Sequence, residues 1–322
     1  MKTRKLLSVV VPVYNEQEVI TETYRRLKAS LSNLDMDIEY IFINDGSTDN
    51  TYLKLNELIV NTDVKLINFS RNFGHQIAIS AGMDYAKGDA VVVIDADLQD
   101  PPEIISEMIE KWKEGYEVVY GKRLHREGET LFKKLTAKLF YRVIDNITDI
   151  KLPVDVGDFR LIDKKVCDSM KSLPERARYV RGLVSWIGFN QTSIEYKREK
   201  RFAGKTKYPL RKMIKLATDG IISFSYRPLK LATFLGMTVS ALSFIYLIAI
   251  LLQKIFTNST VEGWASTMVV SLFFNGVMLV VIGIMGEYVG RIYEEVKSRP
   301  LYVIGELINF DEGNNTNEYT KR

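Results

Sequence analysis

Two carboxylates, Asp95 and Asp97, stand two residues apart directly after the apolar run Val91-Val92-Val93-Ile94. A strand projects alternate side chains to one side, so the pair leaves a buried strand together, which suits a hard divalent cation bridging to phosphate oxygens. A blander reading makes Asp97 and Asp100 caps of a helix that starts at Pro102, where proline fits the first turn. Capping accounts for Asp100 but leaves the cost of setting Asp95 against an apolar strand unexplained. Metal binding is therefore preferred for Asp95 and Asp97. A second polar cluster, Asn44-Asp45-Gly46-Ser47-Thr48-Asp49, also follows an apolar run. Gly46 permits a tight turn and Asp49 or Ser47 can cap the next helix, so taken alone this reads as a strand-to-helix loop.

Short β-branched runs at residues 7–13, 38–43, 64–69 and 90–94 alternate with segments of helical apolar spacing at 18–31, 51–59 and 76–86. Such alternation predicts an α/β fold, a mostly parallel sheet covered by helices, with ligands at the carboxyl ends of the strands. The first strand runs into Pro12-Val13-Tyr14-Asn15-Glu16 and no Gly-x-Gly-x-x-Gly turn follows it, which argues against a nicotinamide or flavin site.

The chain has 322 residues, a net charge of +4, one cysteine and two histidines. One cysteine excludes an internal disulfide and a cysteine-based zinc cluster, and fits a cytosolic location. Apolar residues 6–13 are too short for a signal peptide and break at Pro12. The basic residues gather at 133–142, 197–215 and 291–299, in or beside the apolar last third. That placement points to a membrane surface and not to nucleic acid. Residues 231–252 and 263–286 carry no charge, and the first run gives roughly 33 Å of helix, enough to span a bilayer. Lys212, Lys215, Arg227 and Lys230 precede the pair and Arg291, Lys297 and Arg299 follow it, with only Lys254 and Glu262 between. The positive-inside rule then puts both termini in the cytosol. Residues 210–224 combine an apolar side with Arg211, Lys212 and Lys215, as an interfacial helix would. Residues 133–144 read equally well as a second such helix or as an ordinary surface helix.

Three motifs occur in order: Pro12-Val13-Tyr14-Asn15-Glu16, Asp45-Gly46-Ser47-Thr48-Asp49 and Asp95-Ala96-Asp97. The set resembles the inverting family 2 glycosyltransferases with the GT-A fold. Leu98-Gln99-Asp100-Pro101-Pro102-Glu103, Gly157-Asp158-Phe159-Arg160-Leu161 and Gly204-Lys205-Thr206-Lys207-Tyr208 further resemble the polyprenyl-phosphate branch, which includes dolichyl-phosphate mannose synthases and bacterial undecaprenyl-phosphate glucosyltransferases. The resemblance implies an inverting transfer of a hexose from a nucleotide diphosphate sugar to undecaprenyl phosphate, giving a β-linked product from an α-linked donor. UDP-glucose leads among donors, ahead of UDP-N-acetylglucosamine, GDP-mannose and an aminoarabinose sugar. By resemblance Pro12, Tyr14, Glu16 and Asp45 hold the nucleoside, and Asp95 and Asp97 the diphosphate and a Mg2+ or Mn2+ ion, with Ala96 between them. Asp158 stands at the reaction centre, and Gln99, Arg123, Arg201 and Lys205 surround the phosphates and sugar.

The expected organisation is a cytoplasmic GT-A domain over residues 1–209, an interfacial helix over 210–228, a transmembrane hairpin over 229–290 and a cytoplasmic tail over 291–322. A homo-oligomer, a tetramer by resemblance to the bacterial group, completes the picture. Asn44 departs from the pair of aspartates that many relatives carry, which loosens the inference from resemblance to the base. His75 is read as a hydrogen-bonded structural histidine. A non-catalytic binding subunit is disfavoured by the intact Asp95, Asp97 and Asp158 set.

Overall fold

Four strands carry the centre of the molecule: β1 (Leu6–Val13), β2 (Asp37–Asn44), β3 (Val64–Phe69) and β4 (Ala90–Val93). In this computed structural model residues 4–124, 156–176, 178–199, 225–257, 263–310 and 320–321 are described. Contacts divide the chain into two units, one built on the sheet and including Ser298–Arg322, the other on two long helices.

In the sheet unit the central strands pair in parallel, in the order β4, β1, β2, β3. Their β-branched residues are buried on both faces, the pattern of a sheet covered by helices. Helices α1 (Ile20–Leu31), α2 (Thr51–Leu58), α3 (His75–Tyr85) and α4 (Ile105–Lys113) supply that cover. Leu27, Leu31, Phe42, Ile105 and Ile109 meet in one core. On the other face α3 lies so close that a Cβ on Gly82 would stand 2.2 Å from Val10 Cγ1.

The flanks are antiparallel. Beside β4 runs β6 (Val156–Asp163), and beyond it β5 (Val118–Arg123) and then β7 (Gln191–Tyr196), which is parallel to β5. Two further helices follow β6, α5 (Lys164–Ser172) and α6 (Val180–Ile187). At the opposite edge β8 (Tyr302–Ile308) lies antiparallel to β3, so residues expected in a C-terminal tail close the sheet instead. Tyr302 anchors them: it is fully buried, stacks on Phe69 at 5.2 Å and donates to Asp84 at 2.9 Å. A two-residue strand, β9 (Thr320–Lys321), pairs with β8.

The second unit holds α7 (Arg227–Thr257) and α8 (Trp264–Val296), packed against each other. Both are long and apolar enough to cross a membrane, by length and composition. Leu235, Phe244, Phe273, Leu279 and Ile282 are exposed along them, a surface that water does not tolerate but hydrocarbon does. Residues 210–224 and 133–144, expected to include interfacial helices, lie outside the described residues.

Candidate active site

The parallel strands end along one edge, and the loops that leave them are tied together. After β1, Asn15 adopts a left-handed conformation (φ 54°), its N–H donates to Ser47 Oγ at 2.9 Å and its Oδ1 accepts from the Thr48 N–H at 2.8 Å. After β2, Gly46 (φ 66°) lets the loop after β3 pass so close that an added Cβ would lie 2.4 Å from Arg71 C and Asn72 N. Asp45 is buried, and its carboxylate accepts from the Phe73 N–H at 2.7 Å, the Gly74 N–H at 3.0 Å and Asn72 Nδ2 at 3.0 Å. Burial pushes the Asp45 carboxyl up, and the Phe73 and Gly74 N–H groups restrain the rise. Between these loops lies a cleft of about 640 Å³ lined by Tyr14, Asn44, Ser47, Tyr52, Asn68 and Arg71 among others.

The second half of the site comes from strand register. Antiparallel pairing sets Val93 opposite Arg160, and continuing that register by two residues sets Asp95 opposite Asp158. The N-terminus of α3 meets them there. His75 Nε2 lies 3.3 Å from Asp95 Oδ1 and 3.3 Å from Asp158 Oδ2. Arg181, in the first turn of α6, donates to Asp158 from Nε at 2.8 Å and from a terminal nitrogen at 3.0 Å, and Gln76 Nε2 donates at 3.1 Å. Burial opposes a charge on Asp158, but Arg181 and His75 outweigh it and hold its carboxyl well below the usual range. Burial opposes the charged ring of His75 too, yet Asp158 and Asp95 raise it to about 9.

Asp95 is the unbalanced member. Burial pushes it up to about 6, against the pull of His75, and Asp100, Asp158 and Asp97 add to the rise. Its Oδ1 is buried and accepts no hydrogen bond among the described residues. Asp97 is nearly buried, and its Oδ1 accepts from the Gln99 N–H at 3.1 Å across a turn in which Leu98 is left-handed (φ 56°). Ala96 is fixed by its carbonyl, which accepts from Thr23 Oγ1 at 2.7 Å.

Asp100 is fully buried and gathers cations beside this pair. Tyr196 Oη donates to it, a terminal nitrogen of Arg123 lies 3.4 Å from it and Arg198 Nε 3.8 Å. Burial opposes the Arg123 charge, but Asp100 outweighs it and holds the pKa above its ordinary value. Arg198 goes the other way, lowered by burial and by the charge of Arg123. Arg123 crosses over Gly157, where a Cβ would stand 2.5 Å from its terminal nitrogen.

The sequence matches the model of a family described as Glycosyl transferase family 2 over residues 8–170, half of the chain. The chain belongs to glycosyl transferase family 2. This transferase is 58% identical to an uncharacterised glycosyltransferase, YkcC, of Bacillus subtilis (strain 168), over 92% of each chain. It is 42% identical to an SfII prophage-derived bactoprenol glucosyl transferase of Shigella flexneri, over 92% of this chain and 97% of that one. A solved glucosyl-3-phosphoglycerate synthase from Mycobacterium tuberculosis, in complex with Mn2+, UDP-glucose and phosphoglyceric acid, aligns with a TM-score of 0.47 and 18% identity over 68% of this chain and 78% of that one.

Within the transferase, the residues singled out from sequence do not all stand in one place. Asp95, Asp97 and Asp158 come together, and Gln99 and Arg123 lie beside them. Tyr14 lines the cleft with its ring 38% exposed, whereas Pro12 is buried in β1 opposite Ile43. Glu16 uses its backbone to start α1, its carbonyl accepting from the Val19 and Ile20 N–H groups at 3.0 Å. Asp45, expected at the nucleoside, spends its carboxylate on the loop of residues 72–74. Arg201 and Lys205 lie outside the described residues. Sequence reading passed over Gln76, Arg181 and Arg198 and set His75 aside as structural; the fold puts His75 between the two central carboxylates.

Proposed function

We propose that this transferase moves a hexose, glucose from UDP-glucose by first choice, onto undecaprenyl phosphate at the cytoplasmic face of a membrane, with inversion at the sugar carbon. The observation that carries the reading is the extent of the likeness to the bactoprenol glucosyl transferase, which covers 92% of this chain. The remaining 8%, about 26 of 322 residues, is shorter than the 31 residues of α7 or the 33 of α8, so the likeness reaches into both apolar helices.

In this reading the cleft takes the nucleoside, with the half-exposed Tyr14 ring offering an apolar face to the base. Asp95 and Asp97 fit a divalent cation, Mg2+ or Mn2+, because Asp95 Oδ1 is buried and accepts no hydrogen bond among the described residues, and Asp100, Asp158 and Asp97 set further negative charge around it against the one charge of His75. Among the described residues no group of three or more such side chains forms a cage, so substrate phosphates would complete the coordination, as they do for Mg2+ held by one or two carboxylates. When bound, the ion supplies charge neutralisation to the leaving diphosphate.

The acceptor is a phosphomonoester with a second pKa of about 6, so near neutral pH it is already ionised and needs little help from a base. Asp158 accordingly orients. With both oxygens accepting hydrogen bonds it holds Arg181 and His75 as cations at the reaction centre, where two anionic substrates must approach each other. Arg123 and Arg198 add positive charge at Asp100, three residues after Asp97.

The test mixes the full chain in detergent with undecaprenyl phosphate, Mg2+ or Mn2+ and a panel of labelled nucleotide sugars. Label should enter the organic phase from UDP-glucose as a β-linked product and be lost with chelator or in Asp97→Ala. No label from any donor, in folded protein that still binds nucleotide, would overturn the reading.

A further inference from the structure

We infer that the amide nitrogen of Asn68 reads a carbonyl on the edge of the donor's base, and that Asn44 sets this polarity. The inference rests on the cleft being the nucleoside site of the proposed reaction. Asn44 and Asn68 are the last paired residues of β2 and β3, directly opposite each other, and both line the cleft. Asn44 is buried, while Asn68 is half-buried.

A primary amide has an accepting oxygen and a donating nitrogen, and which end faces where follows from the neighbours. The chain of constraint here starts at a group with no choice, the Ser47 backbone N–H, which can only donate. It donates to Asn44 Oδ1 at 3.2 Å, and Ser47 is itself fixed through its Oγ, which accepts from the Asn15 N–H. Asn44 must therefore turn its nitrogen toward Asn68, and it donates to Asn68 Oδ1 at 2.8 Å. With that oxygen taken, the Asn68 nitrogen is the end left over. Among the described residues nothing accepts from it.

Two N–H donors at the wall of a nucleoside cleft suit an oxo group, such as the 4-oxo of uracil. They oppose an exocyclic amine, such as the 4-amino of cytosine, which would set donor against donor and leave both unpaired. The same logic gives position 44 its meaning. An aspartate there can only accept: one oxygen would keep the Ser47 N–H and the other would demand a donor from Asn68. The Asn68 amide would turn over and present its oxygen to the cleft. Asn44 is thus a specificity determinant that acts through its neighbour.

The experiment measures binding of UDP and CDP to the full chain in detergent, for the wild type, Asn44→Asp and Asn68→Asp. The UDP-to-CDP ratio is the readout, because the two nucleotides carry the same phosphates and an added negative charge affects both alike. The wild type should favour UDP by about tenfold or more, the worth of one hydrogen bond and its mismatch. Asn44→Asp should lower that ratio about tenfold by turning Asn68, and Asn68→Asp should lower it by removing the donor. Should Asn44→Asp not fold, the near-isosteric change at half-buried Asn68 still decides. A wild-type preference for CDP, or an unchanged ratio in the folded variants, would overturn the inference alone. Folded wild-type protein that binds neither nucleotide would overturn it together with the donor reading.

Discussion

Asp158 accepts hydrogen bonds on both oxygens, and this separates two roles that one residue type can play. A general base needs a pKa near the working pH, and Asp158 lacks one, because Arg181 and His75 hold it ionised. The orienting role predicts that Arg181→Gln lowers kcat about 100-fold, the scale of a misplaced reacting group, with the donor KM little changed. Asp158→Asn should fall by a similar amount while the pH–rate profile keeps its shape. A wild-type rate that follows a carboxylate titration and loses that dependence in Asp158→Asn would make it a base after all. His75 carries a pH signature of its own. Its pKa rises on folding from 6.5 to about 9, so its contribution to stability is complete below 6.5 and is lost as pH climbs through about 9. With chelator present, the thermal midpoint of the wild type should fall between pH 7 and pH 10, and His75→Gln should flatten that segment; equal slopes would contradict the assignment. The role of His75 was hidden in the sequence for a physical reason. Its partners lie 20 and 83 positions away, and only the register of β4 on β6 and the start of α3 bring the three together. The Asp95 and Asp97 pair was legible because both stand within four residues of the end of the apolar run of β4.

At the scale of elements, the parallel centre could be read from β-branched runs spaced by helices, since each strand there is buried on both faces and announces itself in composition. The flanks could not. The sequence Gln191–Tyr196 is polar and partly exposed, and Tyr302–Ile308 follows an apolar helix by only five residues, so neither has a pattern that identifies a strand without its partner. Loops were legible where geometry restricts the residue. Gly46 and Gly74 both have positive φ, but only Gly46 also meets backbone at 2.4 Å. Gly46→Ala should therefore cost at least roughly 1–3 kcal/mol and weaken nucleotide binding by displacing residues 71–72, whereas Gly74→Ala should show the smaller effect of backbone strain alone. The thermal midpoint and UDP affinity of the two variants measure this. Equal losses would mean that the close approach of the two loops does not matter.

At the scale of the whole molecule, the proposed membrane location poses the question of which side each part would occupy. In the proposed orientation the sheet unit lies in the cytosol, because Arg227 and Lys230 stand at the start of α7 and Arg291, Lys297 and Arg299 at and beyond the end of α8, while Lys254 is the one cation in the sequence from 253 to 263, where the helices join. β8 bears on one part of that proposal, that both flanks of the helix pair share a side. It follows α8 after five residues and lies in the same sheet as β1, so the proposed orientation, with both helices crossing, keeps the segments before α7 and after α8 on one side. The native cysteine makes the orientation measurable. Cys167 is 2% exposed and burial pushes its thiol up to about 12, so the folded wild type should resist a membrane-impermeant maleimide at pH 7.5 and react only after denaturation. That makes the natural chain a silent background for single added cysteines. Ser259→Cys, between the two helices, should be labelled in intact cells, and Ser32→Cys, at the exposed end of α1, only once the membrane is opened. Labelling of Ser32→Cys in intact cells would reverse the orientation and put the site out of reach of cytosolic nucleotide sugars. Labelling of both only after opening would mean that the pair of helices does not carry residue 259 across.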